Sequence, residues 1–267
     1  MATSQNKGTA LITGASSGIG AIYADRLARR GYDLVLVARN GKRLEEVAGR
    51  IRAATGRSVE VTVADLGNKA DLARVEANLR ADSRITMLVN NAGFGAVAPL
   101  LGSSVDKMEE MIDINVVALT RLTYAAVPGF VARGNGAIIN IASIAAVTPE
   151  LLNGVYGASK AFVVAFSQSL KHELADKGVR VQVVLPGATA TEFWNLAGNP
   201  VENLPQQIVM SGDDLVDAAL AGFDLGELVT IPSLPEINDW NAVETARLAL
   251  RPNLSRVKPA QRYAKTH

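Results

Sequence analysis

The sequence predicts an α/β fold: a doubly wound, parallel, seven-stranded sheet with helices on both faces. Three observations carry that expectation. Short runs of β-branched and aliphatic residues alternate with longer amphipathic stretches, which is the βαβ pattern of layered α/β domains. The candidate strands are apolar throughout, as strands covered on both faces must be. The first of them runs into a glycine-rich turn that opens a helix, and such sheets bind ligands at the carboxyl ends of their strands.

In chain order the candidate strands are TALIT (9–13), DLVLVA (33–38), SVEVTVA (58–64), ITMLV (85–89), GAIINIA (136–142), VRVQVVL (179–185) and ELVTI (227–231). Helical stretches are expected near 19–30, 41–54, 68–80, 105–132 and 155–177. Residues 193–212, with GNPVENLPQQ, read as a long loop made of turn-forming residues. No break in composition marks a second domain. One domain over 1–267 is therefore expected, with 193–225 as a substrate-binding loop or lid and 250–267 as a C-terminal tail.

Composition narrows the class of function. At 267 residues, 48% of them hydrophobic, the chain can bury a sizeable core. Its 27 basic and 26 acidic side chains leave no electrostatic footprint for nucleic acid. No unbroken apolar run approaches the ~20 residues that span a bilayer, so no membrane partner is expected. The opening MATSQNKGTALITG has no apolar stretch before the first strand, which argues against a secretory signal. Cysteine is absent, which excludes disulfides and thiolate chemistry, and two isolated histidines make a metal site unexpected. A cytoplasmic location fits this composition.

The strand ends carry the chemistry. In TALITGASSGIGAIYADRLARRG, Gly14, Gly18 and Gly20 follow a strand and open a helix that Gly31 ends. Glycines there let backbone approach a pyrophosphate, and a helix N-terminus offers free amides and a positive dipole end. The same glycines would also serve a tight strand-to-helix turn. At the end of the second strand, where an acid would bind the ribose 2′-hydroxyl of NAD, the sequence has Ala38 and then Arg39. NADP(H) is therefore expected over NAD(H), with Arg39 facing the 2′-phosphate and Arg43, about a turn into the next helix, as a second cation.

Six motifs in register resemble those of the short-chain dehydrogenase/reductase family, of the short single-domain type. They are TGASSGIG (13–20), NNAG (90–93), Asn115 in DINVVA, Ser143 in NIASIAA, YGASK (156–160) and PGATAT (186–191), and the resemblance covers roughly residues 8–192. It implies a Rossmann-type fold that binds the cofactor through Gly14, Ser16, Ser17, Gly18, Ile19, Gly20, Asn91, Ala92, Gly93, Pro186, Gly187, Thr189 and Thr191. Asp65 and Leu66 resemble the pair that flanks the adenine. Asn90 would support the sheet on the adenosine side, and Thr191 would bond the carboxamide.

For catalysis the resemblance implies Asn115, Ser143, Tyr156 and Lys160. Lys160 would bond the nicotinamide ribose, Ser143 would hold the substrate oxygen, and Asn115 would order a water that passes protons to Lys160. The Tyr–Lys spacing makes chemical sense by itself. Hydride transfer to a ketone leaves an alkoxide that needs a proton as it forms. A phenol has a pKa of about 10. Lys160, one helical turn from Tyr156, is expected to favour the phenolate by its charge, and the helix N-terminus to add to that.

The expected function is thus an NADP(H)-dependent oxidoreductase acting on a carbonyl or secondary alcohol. A cofactor-binding sensor that has lost turnover stays open, as does an epimerase or dehydratase of the extended relatives, although their glycine spacing and longer substrate domain are absent. Phe94, Val147, Leu152, Phe193, Trp194 and Met210 lie near the motif ends and could line an apolar pocket for a lipophilic ketone, or simply pack in the core. The run Phe162–Val163–Val164–Ala165–Phe166 puts apolar side chains nearly all round its helix, so one face needs a further cover. In the family that helix and the long one at 105–132 form a bundle across a two-fold axis, which implies a homodimer or homotetramer.

Overall fold

The structure is a computed structural model in which residues 7–263 are described. The chain divides into two compact units, Met1–Pro232 and Ser233–His267. The first unit is built on seven parallel strands in the order β3-β2-β1-β4-β5-β6-β7. They are β1 (Thr9–Thr13), β2 (Asp33–Ala38), β3 (Val59–Val63), β4 (Ile85–Asn90), β5 (Gly136–Ile141), β6 (Val179–Val184) and β7 (Val229–Thr230). β1 and β2 have the expected bounds. β7 is shorter, and only Val183↔Val229 and Val184↔Thr230 pair at that edge.

Strand order reverses between β1 and β4, so connections leave in opposite directions there and open a crevice at the carboxyl edge. Because side chains alternate along a strand, β1 feeds two cores. Ala10 and Ile12 join Leu34 and Leu36 under α1 (Gly18–Arg29) and α2 (Gly41–Thr55), with Leu215, Val216 and Phe223 from α8 (Gly212–Leu225). Leu11 joins Val35 and Val37 on the other face, under α3 (Lys69–Ala81), α5 (Leu119–Arg133) and α6 (Gly154–Glu173). Arg26 pins α8 to α1, its Nε 2.7 Å from Asp217 and its guanidinium also bonded to Asp213.

Two differences from the sequence reading have clear physical causes. The stretch 193–225 is no continuous loop: it holds the short helix α7 (Phe193–Ala197), two 3₁₀ turns and the fourteen-residue α8. Ser211 caps α8 by accepting from Asp214 N, Asp213 and Asp214 suit its positive end, and buried residues recur at 215, 216, 219, 220 and 223. The long helix expected at 105–132 is likewise broken in hydrogen-bond pattern. α4 (Val105–Ile112) passes into a π-helical turn, Asp113–Ala118, before α5. As a whole, Val105–Arg133 is long and apolar enough by length and composition to cross a membrane, but Ala118, Leu122, Ala125 and Phe130 lie in the second core.

The second unit contains α9 (Ile237–Ala249) and two 3₁₀ turns, Arg251–Asn253 and Gln261–Tyr263. The tail expected at 250–267 thus begins with local turns, and residues 264–267 lie outside those described.

Candidate active site

The ends of β1 and β4 are stitched together by one threonine and one asparagine. Thr13 Oγ1 donates to Val89 O (3.3 Å) and accepts from Asn91 N (3.0 Å) and Ala92 N (2.9 Å). Asn91 Nδ2 donates back to Thr13 O at 2.9 Å and Gly14 O at 3.2 Å. A side chain on Gly14 would come within 2.8 Å of Asn91 Nδ2, and its φ of +66° is one that only glycine adopts without strain. A Cβ on Gly20 would collide with the Gly14 carbonyl. Ser17 precedes α1 without a capping bond from its side chain, and no acid occupies the first turn. The amides at Gly18, Ile19 and Gly20 are therefore left for an anionic ligand. Ser16 and Ser17 lie half-buried beside them. This donor set fits a pyrophosphate.

Tyr156 and Lys160 sit in the first two turns of α6, which Asn153 starts. Its Oδ1 accepts from Val155 N (2.9 Å) while its Nδ2 donates to Ala98 O (2.7 Å). Both side chains are buried, and Lys160 Nζ donates to Ile141 O at 3.0 Å and lies 5.8 Å from the Tyr156 ring centre. Ser143, just past β5, accepts from Ala145 N at 3.1 Å, and its hydroxyl favours the ionised form of the Tyr156 phenol.

Burial pushes the Tyr156 phenol up to about 12, with the Ser143 hydroxyl pulling the other way. Burial also lowers Lys160 to about 8. From the sequence Lys160 is expected to lower the phenol; in the structure burial dominates, and the lowering influence on the phenol comes from Ser143. At neutral pH the phenol holds its proton, the form a donor needs.

Asn115 lies in the π turn. Its Nδ2 donates to Phe94 O and Ser159 Oγ, both at 3.0 Å, and its Oδ1 accepts from Phe94 N at 3.1 Å. Ser159 Oγ in turn donates to Tyr156 O at 2.8 Å. The amide thus ties the loop after β4 to the first turns of α6. Gly93 passes so close that a Cβ there would lie 2.7 Å from Asn115 Oδ1 and 3.4 Å from Lys160 Nζ.

Beneath the site, Asn90 pairs in register with Asn140. Asn90 Nδ2 donates to Asn140 Oδ1 (2.9 Å) and Thr123 Oγ1 (3.1 Å), and Asn140 Nδ2 reaches Ser167 Oγ (2.9 Å). Asn90 is expected from the sequence to support the sheet and bridges β4 to β5 here, whereas Asn140, Thr123 and Ser167 are not foreseen. A polar residue inside the apolar run GAIINIA is the signal for Asn140.

At the second strand end Arg39 is exposed and makes no ion pair among the described residues. Arg43 is engaged elsewhere, bidentate with Glu192. Asp65 Oδ1 accepts from Gly67 N at 3.0 Å, and the Leu66 side chain is in the core. Pro186 O accepts from Ile144 N, and Thr189 donates to Gly187 O. Thr191 lies 3.6 Å from where a Cβ on Gly18 would be, so the post-β6 segment passes over the glycine turn.

Of the expected apolar lining, Phe94, Leu152 and Phe193 pack with Tyr156, joined by Met108, Met111 and Val155. The Phe193 ring is 5.8 Å from that of Tyr156. Trp194 is buried and donates to Thr189 O, Met210 packs in the first core, and Val147 is exposed, so these three do not join the cluster.

Comparison with known proteins places these features in context. A family model described as short chain dehydrogenase matches residues 8–200. A short-chain dehydrogenase from Sphingobium yanoikuyae, solved in complex with NADPH, is 50% identical with a TM-score of 0.93, over 96% of this chain and 100% of that one. A bulky-bulky ketone specific alcohol dehydrogenase from Comamonas testosteroni is 44% identical with a TM-score of 0.90, over 98% and 100%. Among curated sequences, the very-long-chain 3-oxoacyl-CoA reductase of Anas platyrhynchos is 39% identical over 196 residues, 70% of this chain; the match spans 62% of that relative's length.

Proposed function

The chain belongs to the short-chain dehydrogenase/reductase family, and on that premise we propose that it transfers a hydride between NADP(H) and a ketone or secondary alcohol of apolar character. The observation that carries the reading is a buried Tyr156 with Lys160 Nζ 5.8 Å from its ring centre and Ser143 acting on its phenol. The amides of Gly18–Gly20 would hold the pyrophosphate, Arg39 the 2′-phosphate, and Pro186–Thr191 the nicotinamide end. When bound, the nicotinamide supplies or takes the hydride. Ser143 and Tyr156 then hold the substrate oxygen, and the Tyr156 hydroxyl gives it a proton as negative charge develops there. Lys160, protonated below a pH of about 8, favours that transfer by its charge. Phe94, Leu152 and Phe193 exclude water from the phenol and offer the substrate an apolar wall. The NADPH complex of the 50% identical neighbour supports the cofactor, and the ketone named for the 44% identical one supports the substrate class.

The test is NADPH oxidation against bulky aryl ketones and small hydroxylated ketones, with Tyr156→Phe as the paired variant. The bulky ketones should turn over faster. Tyr156→Phe should lose on the order of 10²-fold or more in kcat, the scale of a positioned general acid, while NADPH still binds. Undiminished turnover in Tyr156→Phe overturns the mechanism; charged or polyhydroxylated ketones as the better substrates overturn the substrate class.

A further inference from the structure

Arg43 and Glu192 are 149 residues apart, yet their side chains meet with Nη1 2.7 Å from Oε2 and Nη2 2.6 Å from Oε1. This fork-to-fork geometry is the strongest that a guanidinium and a carboxylate can form. Arg43 belongs to the first turn of α2, which follows β2, and its backbone N–H is held by Asn40 Oδ1 at 3.1 Å. Glu192 belongs to the segment after β6, next to Thr191, which lies over Gly18.

Between β2 and β6 stand β1, β4 and β5. With neighbouring strands about 4.8 Å apart, the pair reaches across the crevice where strand order reverses. Its two side chains are half exposed, so nothing in the packing of the core requires it. The pair is a clasp over the place where the phosphates of a dinucleotide would lie.

We propose that Glu192 is a cofactor-specificity residue that competes with the 2′-phosphate of NADP(H) for Arg43. This inference rests on the cofactor reading above and deepens it. A phosphomonoester carries close to two negative charges and three acceptor oxygens, so it displaces the single carboxylate and opens the clasp. A ribose with a free 2′-hydroxyl has no anion to offer, and Arg43 stays on Glu192. The carboxylate therefore reduces the affinity for NADP(H) selectively. It also links entry of the phosphate to release of the segment that leads into α7.

Binding measurements without turnover test this. Dissociation constants for NADPH, NADH, 2′,5′-ADP and 5′-AMP are measured by calorimetry at low ionic strength on the parent, Glu192→Gln, Arg43→Ala and the double variant, each checked for an unchanged melting temperature. The expected result is that Glu192→Gln tightens NADPH and 2′,5′-ADP roughly two- to fivefold, the scale of an exposed ion pair, and leaves NADH and 5′-AMP where they were. The gain should vanish in the Arg43→Ala background. Equal tightening of all four ligands, or a gain that survives without Arg43, would mean general repulsion by the carboxylate and would overturn the proposal, as would no change at all. A parent that prefers NADPH while Glu192→Gln leaves the ratio fixed sinks this inference alone. A parent with no preference for NADPH sinks the cofactor reading as well.

Discussion

Lys160 is only 6% exposed, and it donates to a backbone carbonyl, not to a carboxylate. An ammonium there is desolvated without a counter-charge, which is why its pKa falls from 10.5 to about 8. That shift must appear in stability. In the unfolded chain the amine keeps its proton up to its ordinary pKa; in the folded one it gives it up near 8. Between those values the unfolded state binds more protons, so stability rises with pH through that window. From pH 7 to pH 9 the gain should be about 1 kcal/mol. Lys160→Met keeps the bulk of the side chain and removes the titration. The prediction is that urea midpoints at pH 7 and pH 9 move apart in the parent by that amount more than in Lys160→Met. Parallel pH profiles would show that the ammonium is solvated after all.

At the scale of elements, α1 carries a group whose cost is visible. Tyr23 is fully buried in the first core, and its hydroxyl has no hydrogen-bond partner among the described residues. A buried hydroxyl left unpaired costs about 1–3 kcal/mol. Tyr23→Phe removes it and keeps the ring, so the melting temperature should rise by roughly 2–4 °C for each kcal/mol recovered; a fall in scanning calorimetry would mean that the hydroxyl is satisfied by solvent. The same elements show what sequence can and cannot disclose. β1 and β2 are legible to the residue because a strand covered on both faces must be apolar at every position. The glycine turn and the Tyr156–Lys160 pair are legible because their geometry is local. α8 is readable in principle, since Ser211, Asp213 and Asp214 head a clean apolar period, but Gly198, Pro200 and Pro205 just before it suggest loop. The π turn around Asn115 is different in kind. Its hydrogen bonds shift by one residue without altering composition, and the sole hint is an amide in an apolar helix. The Arg43–Glu192 clasp is beyond any local reading, because only the sheet order brings the two together.

For the whole molecule, apolar surface is left uncovered along one set of helices. Ile112 and Val117, at the end of α4 and in the π turn, and Tyr124 in α5 are exposed, Tyr124 to 69%. α6 packs against α4 and the π turn, and its Phe162 is 38% exposed with its ring stacked 5.7 Å from that of Phe166. We propose that this face is covered by a second copy of the chain, as the family resemblance implies, in a homodimer or a homotetramer built from it. A two-fold interface presents every residue twice, so a charge placed on it is buried twice and faces its own copy. Tyr124→Asp combined with Phe162→Asp removes two aromatic anchors from each protomer and adds four carboxylates to the interface. At about 2 kcal/mol for an anchoring aromatic, the four lost across the two-fold interface should cost about 8 kcal/mol, on the order of 10⁵- to 10⁶-fold in Kd. Sedimentation at micromolar concentration should then give the parent a mass of at least twice 28.1 kDa and the double variant the monomer mass, with the far-ultraviolet dichroism of the two alike. A parent that sediments as a monomer would leave the helix face open to solvent, and a double variant that still associates would move the interface to another surface.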